Sequence, residues 1–499
     1  MDVRPYLEPR PEEGLDPDDW DALRALAHRM VDDVVDFHAS VGGRPAWQPV
    51  PPEARAEIGR EPPAEGVGAE AAYERFRRLV QPYPFGNVHP RAWGWVNGTG
   101  TTLGALAEML GAAMNPNAWG GEQSAAYVEA EVIEWARRAF GFPAEATGLL
   151  VSGGSMANFV ALAAAREARG GPAVSESGVH ALDAQLVVYA SEQTHNSVDK
   201  AVGLLGIGWR GLRKIPTDAQ YRVDLAELEA AVAEDRAAGR RPVAVVGNAG
   251  TVNSGAIDDL EGLADFCAEQ GLWLHVDGAF GAMAALSPAL RPLVAGLERA
   301  DSLAFDLHKW MYVPIEAGCV LVRDAEAHRR PFSPGAAYLA MGDRGPASGP
   351  ANYSMLGMQL TRGFRALKVW MSLQAHGTDV YGRLVEQNVR QARALEERVR
   401  AHLRLELMAP VPLNVVCFRY RTPGLDAAAL DAFNRELLAR VQESGAAVPS
   451  STVIGGGFAM RVAITNHRTR LPDLDLLVEA VARLGDGMAA EWGAECASA

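Results

Sequence analysis

Cysteine is scarce in this chain of 499 residues, which contains four: Cys267, Cys319, Cys417 and Cys496. They lack the C-x-x-C spacing that zinc ribbons and thiol redox sites use, so the sequence predicts neither kind of site. Isolated cysteines are typical of reduced thiols. The N-terminus, Met-Asp-Val-Arg-Pro-Tyr, also lacks the basic and then apolar pattern of a secretion signal, and we therefore expect a cytoplasmic protein.

An excess of positive charge and long apolar runs are missing as well. The formal net charge is −15 and the isoelectric point is near 5.3. Nucleic acids and anionic membranes are bound by basic surfaces, so we expect neither as a main partner. Because no apolar run approaches the roughly 20 residues of a transmembrane helix, we do not expect a membrane protein.

Apolar residues are abundant, at 48% of the chain, and between about 100 and 325 they follow two alternating patterns. Helical spacing predicts helices near 102–114, 122–140, 155–169, 195–206, 224–238 and 258–270. Short continuous runs predict strands at 148–151, 186–190, 243–247, 272–277, 303–305 and 318–322. This alternation predicts an α/β fold with a mostly parallel sheet and helices on both faces. Sites in such sheets lie beyond the carboxyl ends of the strands.

The N-terminal part has a different pattern. Residues 17–40 have the spacing of an amphipathic helix, and the Pro and Gly residues of 41–68 predict an extended linker. A helical arm of this size cannot bury its own apolar stripe, so we expect the stripe to pack on a second subunit. We therefore assign residues 1–90 to an N-terminal arm that wraps around the partner of a homodimer.

The rest of the chain divides into a large domain, residues 91–376, and a small α+β domain, residues 377–499. Within the large domain, residues 331–357 are rich in Pro and Gly and show little periodicity. A loop of this length inside a compact enzyme is usually functional or mobile. We therefore expect residues 331–357 to take part in the function.

Two residues at predicted strand ends carry the strongest chemical signal. Asp277 follows the apolar run Leu272–Val276, where an unpaired carboxylate would be costly to bury, so we expect a cationic partner. Lys309 lies just past the run Leu303–Phe305. An acid and an amine at the ends of neighbouring strands can hold a pyridine ring between them. The lysine would form a Schiff base with pyridoxal phosphate (PLP), and the acid would keep the ring nitrogen protonated.

Each of the two residues also has a plainer interpretation. A lone lysine is more often structural than catalytic. His275 and Asp277 have the spacing of a metal-binding pair, but no cluster of further ligands lies near them in the sequence, so we expect no metal site.

Further motifs fall at the ends of other predicted strands. Ser152-Gly153-Gly154-Ser155 leads into a helix whose free N–H groups and dipole suit a phosphate. His195 opens the next helix, where a histidine can stack on an aromatic ring and handle protons. Thr251 can orient a nearby acid or a ring substituent. Alone, these motifs also fit a glycine turn, a helix cap and a turn threonine; together they favour a cofactor site.

With these motifs the sequence resembles the PLP-dependent decarboxylases of the aromatic-L-amino-acid, glutamate and histidine decarboxylase group, which have fold type I. The resemblance runs from about residue 18 to 485. Other specific parts of it are His89-Pro90-Arg91, His275-Val276-Asp277-Gly278-Ala279 and His308-Lys309-Trp310. It implies a PLP-dependent carboxy-lyase that converts an L-amino acid to its amine and CO₂. It also implies a homodimer with shared active sites.

The resemblance assigns roles to individual residues. It implies that Lys309 binds the cofactor covalently and that Asp277 pairs with the pyridine nitrogen. It places His195 on one face of the ring and Ala279 on the other. The remaining cofactor contacts that it implies are Gly154, Ser155 and His308 at the phosphate and Thr251 beside the ring.

The resemblance also covers the long loop. The mobile catalytic loop of the family matches residues 331–357, and its tyrosine falls on Tyr353. When CO₂ has left, a proton must reach the substrate Cα, and Tyr353 on a closing loop is the expected acid.

The substrate side differs from that of the animal aromatic decarboxylases. The predicted pocket residues are Trp95, Asn97, Gly98, Asn117 and Trp119. Two tryptophans favour an aromatic or large apolar side chain, and two asparagines favour a polar group on it, so we expect an aromatic substrate. The alternatives are an aliphatic, valine-like substrate and a different fold type I activity, either aldehyde-forming or an aminotransferase.

Two charged residues complete the prediction. Asp306 stands where animal enzymes have asparagine, and it would be unfavourable near a phosphate unless it is turned away or paired. Arg461 is either a clamp for the substrate carboxylate or part of a structural ion pair. An arginine that holds the departing carboxylate would oppose its loss, so we expect the ion pair.

Overall fold

A computed structural model describes residues 14–59, 61, 64–171, 173–333 and 342–498, with side chains up to residue 492. The chain divides into two compact units. The first consists of Met1–Gly43 and Pro49–Pro84, and the second of Arg44–Gln48 and Phe85–Ala499. The division into an arm and two domains stays a prediction.

The first unit contains helices α1 (Trp20–Ser40), α2 (Pro52–Ile58) and α3 (Ala69–Leu79). Asp19 caps α1 by accepting hydrogen bonds from two backbone N–H groups of its first turn. The extended linker predicted over 41–68 is wrong in part, because α2 lies inside it. Pro52 is compatible with a helix there because a proline at the first helical position needs no N–H partner.

The second unit is built around a sheet that has seven strands among the described residues, in the order β1-β7-β6-β5-β4-β2-β3. Its strands are β1 (Thr147–Val151), β2 (Leu186–Ser191), β3 (Leu212–Ile215), β4 (Arg241–Asn248), β5 (Trp273–Asp277), β6 (Ser302–Asp306) and β7 (Gly318–Val322). The strands β3, β2, β4, β5 and β6 are parallel, and β7 is antiparallel to both of its neighbours. The predicted α/β fold with a mostly parallel sheet is confirmed.

Helices accompany this sheet. They are α4 (Thr102–Met114), α5 (Ser124–Ala139), α6 (Gly154–Gly170), α7 (Ala173–Ser177), α8 (Ser197–Leu204), α9 (Leu225–Ala237), α10 (Leu260–Gln270), α11 (Leu307–Trp310), α12 (Ala325–Arg329) and α13 (Arg365–His376). The central strands β5 and β6 are buried along their whole length, as expected for strands covered on both faces. Because β1 and β6 are both antiparallel to β7, β1 ends at the same edge of the sheet as β6.

The C-terminal part has its own antiparallel sheet, in the order β10-β11-β9-β8. Its strands are β8 (Leu405–Leu407), β9 (Val415–Tyr420), β10 (Ser450–Ile454) and β11 (Gly457–Ala463), and its helices are α14 (Thr378–Ala401), α15 (Ala427–Glu443) and α16 (Leu471–Ser498). Gly455 and Gly456 connect β10 to β11 with φ angles of 59° and 77°, a conformation that glycine adopts at little cost.

A buried ion pair fastens the end of the long loop to the sheet. The Arg362 guanidinium pairs with Glu129 of α5 at 2.5 Å, and both side chains are 1% exposed. Arg362 also donates hydrogen bonds to the carbonyl oxygens of Ala118 and Leu150, and Glu129 accepts one from the Leu150 N–H. Because these hydrogen bonds satisfy both charges, the pair is compatible with full burial.

Two kinds of feature do not occur in the part of the chain that the structure describes. No helix there combines the length and the apolar content that crossing a lipid bilayer requires. No three or more His, Cys, Asp or Glu side chains are grouped there in a way that could hold a metal ion.

We expect Glu129→Gln to destabilise the protein markedly, because it leaves the Arg362 charge buried without a counter-ion. Removing one partner of a buried ion pair costs about 3–5 kcal/mol. The matched control is Glu134→Gln on the same helix, which breaks the surface pairs with Arg137 and Arg138 and should cost at most about 1 kcal/mol. Urea unfolding followed by circular dichroism measures both, and equal midpoints for the two variants would contradict the assignment.

Candidate active site

A cavity of about 380 Å³ lies at the edge of the large sheet where β1, β2, β4, β5 and β6 end. Each of these strands is followed by residues that line it. The residues that carry polar groups or small side chains into the cavity are Ser152, Gly153, Gly154, Ser155, Asn158, His195, Ser197, Asn248, Gly250, Asp277, Ala279, Asp306, His308 and Lys309. The structure therefore brings together residues that are far apart in the sequence, such as Ser152 and Lys309, which are separated by 157 positions.

Lys309 lies on α11, a single turn that follows β6. Its ammonium group is 2.8 Å from Oδ2 of Asp306, the last residue of β6. The Lys309 side chain is 22% exposed, and it reaches the cavity. The amine is therefore accessible to a ligand but held by a neighbouring carboxylate.

Asp277 is held in a fixed orientation at the end of β5. Its Oδ2 accepts a hydrogen bond from the Asn158 amide at 2.8 Å, and its Oδ1 accepts one from the Ala279 N–H at 3.1 Å. The residue is 5% exposed. A cationic group in the cavity would complete the pairing of this carboxylate.

Asn158, on the buried face of α6, connects several parts of the site. Its amide N–H₂ donates to Ser197 Oγ at 2.9 Å as well as to Asp277. Its amide oxygen is 2.9 Å from Nε2 of His275, whose other ring nitrogen is 2.9 Å from Ser302 Oγ. The sequence prediction did not include Asn158. The signal that could have found it is an amide side chain within the alanine-rich run of this helix.

Two histidines flank the cavity, and burial lowers the pKa of both. His195 follows β2 and accepts hydrogen bonds at Nδ1 from Ser197. Burial is the main cause that lowers its pKa, against the opposing effect of Asp277. The pKa of His308 is also lowered mainly by burial, and its Nδ1 accepts the Ala317 N–H at 3.1 Å. Both rings are therefore favoured in the neutral form.

The residues at the cavity fit pyridoxal phosphate. No side chain caps the first turn of α6, so its N–H groups are available to a phosphate near Gly154 and Ser155. The small Ala279 and the ring of His195 offer two faces for a flat heterocycle, and Asp277 offers a fixed carboxylate for the ring nitrogen. Lys309 offers the amine. The cavity thus offers a suitable group for the phosphate, for both faces of the ring, for the ring nitrogen and for the covalent bond of the cofactor.

Thr251 was predicted to contact the cofactor, but it does not line the cavity. Its hydroxyl lies 3.1 Å from Ser254 Oγ and accepts the Ala256 N–H at 3.1 Å. The residue is 1% exposed. It stabilises the turn after β4, and its neighbours Gly250 and Val252 line the cavity instead.

The predicted substrate pocket assembles only in part within this chain. Trp95 lines the cavity and is 50% exposed, with its ring 5.0 Å from that of Phe85. Asn97, Gly98, Asn117 and Trp119 are not among the lining residues.

Gly98 and Asn117 have structural contacts instead. A Cβ on Gly98 would lie 1.9 Å from the His308 carbonyl oxygen, so only glycine fits against the turn that carries Lys309. Asn117 accepts the backbone N–H of Arg362 at 2.9 Å.

Tyr353 also lies away from the cavity. Its hydroxyl donates to the Ala126 carbonyl oxygen at 3.2 Å, and its ring packs 5.2 Å from the Arg362 guanidinium. The residue is 3% exposed. Part of the loop, residues 334–341, lies outside the described residues, and it contains a second tyrosine, Tyr338. The role of Tyr353 as proton donor stays a prediction.

The ion pair expected for Arg461 is wrong as far as the structure describes the chain. Its guanidinium donates to the Val252 carbonyl oxygen at 2.6 Å and to Ser450 Oγ at 3.2 Å, and it forms no salt bridge with a described carboxylate. Burial lowers its pKa. Neutral oxygens therefore satisfy this arginine, and it fastens β10 and β11 to the turn after β4.

Comparisons with known proteins agree with the geometry. Residues 69–421 match the family model described as the pyridoxal-dependent decarboxylase conserved domain. An aromatic-L-amino-acid decarboxylase of Bacillus atrophaeus is 32% identical over 456 residues, which are 91% of this chain and 93% of that protein. An L-2,4-diaminobutyrate decarboxylase of Acinetobacter baumannii is 28% identical and covers 81% of each chain.

The fold is shared with solved structures. The structure of Oryza sativa TDC with PLP and tryptamine superposes with a TM-score of 0.86, at 27% identity. The match covers 95% of this chain and 100% of that one. The similarity thus extends over both sheets and their helices.

We expect Asn158→Ala to weaken cofactor binding by about tenfold or more, because a hydrogen bond to a charged group contributes about 1.5–3 kcal/mol. Its loss leaves Asp277 and His275 with unpaired buried groups. Titration of the cofactor-free protein with PLP, followed by the visible absorbance of the lysine-bound cofactor, measures the affinity; Lys309→Ala gives the baseline.

The matched control is Asn434→Ala. Asn434 is also buried, and it hydrogen-bonds the backbone of Tyr420 far from the cavity. It should lower stability and leave the affinity for PLP unchanged. If Asn158→Ala binds PLP as tightly as the wild type, Asn158 does not position Asp277.

Proposed function

The chain belongs to the pyridoxal-dependent decarboxylase family, and on that premise we propose that it decarboxylates an aromatic L-amino acid to the amine and CO₂. The family membership makes it a PLP-dependent carboxy-lyase. The preference for an aromatic side chain is the part that the proposal adds. The single observation that carries it is the aromatic ring of Trp95 in the wall of the cavity.

Trp95 is not the only apolar side chain at the cavity. Met156, Val252, Phe280 and Ile315 also line it. Contact with apolar and aromatic groups favours a substrate side chain that gains from leaving water. The aromatic-L-amino-acid decarboxylase of Bacillus atrophaeus supports this choice.

The charge at the cavity argues against a substrate with a cationic side chain such as 2,4-diaminobutyrate. Glu316 lines the cavity, and its Oε1 accepts two hydrogen bonds from the Arg365 guanidinium, at 2.6 and 3.0 Å. A carboxylate that already has a guanidinium partner attracts an incoming ammonium group less than a carboxylate without one.

Each residue of the site then has a chemical task. When bound, PLP supplies an electron sink for the bond that loses CO₂. Lys309 would offer the amine that holds the cofactor and would release it to the substrate amine. Asp277, fixed by Asn158, would keep the ring nitrogen protonated, and His195 and Ala279 would lie on the two faces of the ring. Together these residues would fix the orientation of the ring in the cavity.

The last step needs a proton at the substrate Cα, and we assign the donor to the long loop. Tyr353 is packed under Arg362, and moving it to the cavity would break the contacts of a buried phenol. Burial also raises the pKa of Tyr353. Tyr338 is the other phenol of the loop. We therefore propose that Tyr338 is the acid and that Tyr353 helps to anchor the C-terminal end of the loop.

We also propose that the protein is a cytoplasmic homodimer. Met109, Leu110 and Met114 of α4 are each about half exposed, and Trp20 and Val34 of the apolar stripe of α1 are exposed as well. Exposed apolar faces of this kind are typical of subunit interfaces. The buried cysteines Cys267, Cys319 and Cys417 are free thiols, which fits a reducing compartment.

We expect the PLP-loaded enzyme to release CO₂ and amine from tryptophan, tyrosine or phenylalanine with a far higher kcat/KM than from valine or 2,4-diaminobutyrate. Trp95→Ala should lower kcat/KM for the aromatic substrate about tenfold, as the loss of an aromatic contact predicts. Trp209→Ala, which removes a surface tryptophan that is 76% exposed, is the control. Turnover of 2,4-diaminobutyrate or valine alone would reject the aromatic substrate and leave the decarboxylase assignment intact.

The two loop tyrosines give a second test. Tyr338→Phe should lose amine formation by at least about 100-fold, the size of a general-acid contribution, and in the presence of O₂ as oxidant it should divert the product to the aldehyde, with release of ammonia and hydrogen peroxide. Tyr353→Phe should keep amine as its product and lose only stability. Chromatographic analysis of the products decides between them; amine loss in Tyr353→Phe with normal output from Tyr338→Phe would reverse the two roles.

A further inference from the structure

Asp306 is an unusual residue to find where a phosphate is expected. It is the last residue of β6, three positions before Lys309, and it is 1% exposed. Its Oδ2 contacts the Lys309 ammonium at 2.8 Å, and His308 Nε2 lies 4.0 Å from the same oxygen. Its Oδ1 is buried and has no hydrogen-bond partner among the described residues. An unpaired buried carboxylate oxygen is costly, so its position calls for a reason.

The carboxylate of Asp306 points at the start of α6. A Cβ placed on Gly154 would lie 3.0 Å from Asp306 Oδ2, and one placed on Gly153 would lie 3.7 Å from Oδ1. These are the two glycines that open the uncapped helix α6. The carboxylate therefore lies beside the N–H groups and the positive end of the helix dipole that a phosphate would use.

The space around this carboxylate is tight. A Cβ on Gly318 of β7 would lie 2.7 Å from Asp306 Oδ1 and 2.5 Å from the Cα of Gly153. The Asp306 backbone is fixed as well, because its N–H donates to the Ala279 carbonyl oxygen at 2.9 Å. A carboxylate enclosed in this way has little room to turn from an incoming anion.

We propose that Asp306 competes with the cofactor. In the cofactor-free protein its carboxylate supplies the negative charge at the start of α6 that the phosphate would otherwise supply, and it also pairs with the Lys309 ammonium. Both interactions must end when PLP binds. The phosphate then meets a like charge, and the enclosed carboxylate must bind a proton to remain beside it. Asp306 is thus a positioning residue that stabilises the empty site and weakens cofactor binding. The inference rests on the cofactor of the family and not on the identity of the substrate.

Proton uptake gives the inference a pH dependence with a definite sign. The titratable groups that face Asp306 are Lys309 and His308 on the same turn, His195 after β2 and Cys319 on β7. All of them are also present in Asp306→Asn, so a comparison of the two proteins isolates Asp306. If the bound form carries one extra proton on this residue, the affinity of the wild type for PLP falls relative to the variant as pH rises.

The test uses cofactor-free wild type and Asp306→Asn, titrated with PLP and with pyridoxal, which lacks the phosphate. We expect the variant to bind PLP about tenfold or more tightly than the wild type, the size of a partly screened repulsion between neighbouring charges. The gain for pyridoxal should be clearly smaller. The cofactor-free variant should also melt at a lower temperature than the cofactor-free wild type, because Lys309 has lost its partner.

Asp235→Asn is the matched control. Asp235 is likewise buried and pairs with Arg213 at 2.8 Å and Arg240 at 2.7 Å, remote from the cavity. It should lower the melting temperature and leave the PLP affinity unchanged. If Asp306 had only a structural role, Asp306→Asn would likewise lower the melting temperature and leave the PLP affinity unchanged. A folded Asp306→Asn that binds PLP no more tightly than the wild type would overturn the proposal.

A measurement on the wild type alone covers the case in which Asp306→Asn does not fold. Above the second pKa of a phosphate monoester, about 6, the phosphate charge no longer changes with pH. In that range the ratio of PLP affinity to pyridoxal affinity should fall as pH rises, by up to about tenfold per unit. A ratio that is constant with pH would reject the proton uptake and with it the competition.

Discussion

The hydrogen bond between the Asn158 amide and the Asp277 carboxylate is the contact on which the geometry of the site depends. A carboxylate at the end of a buried strand is costly unless every lone pair has a partner and its charge is matched. Asn158 and the Ala279 N–H satisfy the side of Asp277 that faces the protein, so the remaining attraction is directed into the cavity. Because Asn158 also contacts Ser197 and His275, the same amide couples the acid to the wall that carries His195.

A second buried charge pair serves the loop rather than the cofactor. Arg362 and Glu129 connect the end of the loop to α5 and to β1, and Tyr353 packs on the guanidinium. The loop therefore leaves the body of the protein from a fixed base. A phenol anchored within this base is a poor candidate for an acid that must approach the substrate Cα.

Much of the large sheet and of the candidate site was predictable from the sequence, because helical spacing and continuous apolar runs are both clear in it. Buried parallel strands are continuous apolar runs, so β2, β4, β5 and β6 and the polar residues at their ends could be located, and with them Asp277, His195 and Lys309. The edge strand β3 was missed because its four residues place two charged side chains between two apolar ones, which is neither a continuous apolar run nor an alternation. Asn158 was missed because its importance comes from what it touches 119 positions away, and spacing along a helix does not report that. Tyr353 and Arg461 show the same limit: a residue type indicates what a side chain can do, and packing decides where it points.

Asp306 shows why a site can keep a group that opposes its ligand. A cavity built for an anionic cofactor collects positive potential from the α6 terminus and from Lys309, and without the cofactor that potential has no counter-charge. An asparagine at this position would leave the Lys309 ammonium without a counter-charge in the cofactor-free protein, whereas an aspartate pairs with it at 2.8 Å. The same carboxylate then repels the phosphate, so stability of the empty form and affinity for the cofactor change in opposite directions. The choice between aspartate and asparagine at position 306 therefore decides whether the protein is more stable without PLP or binds PLP more tightly.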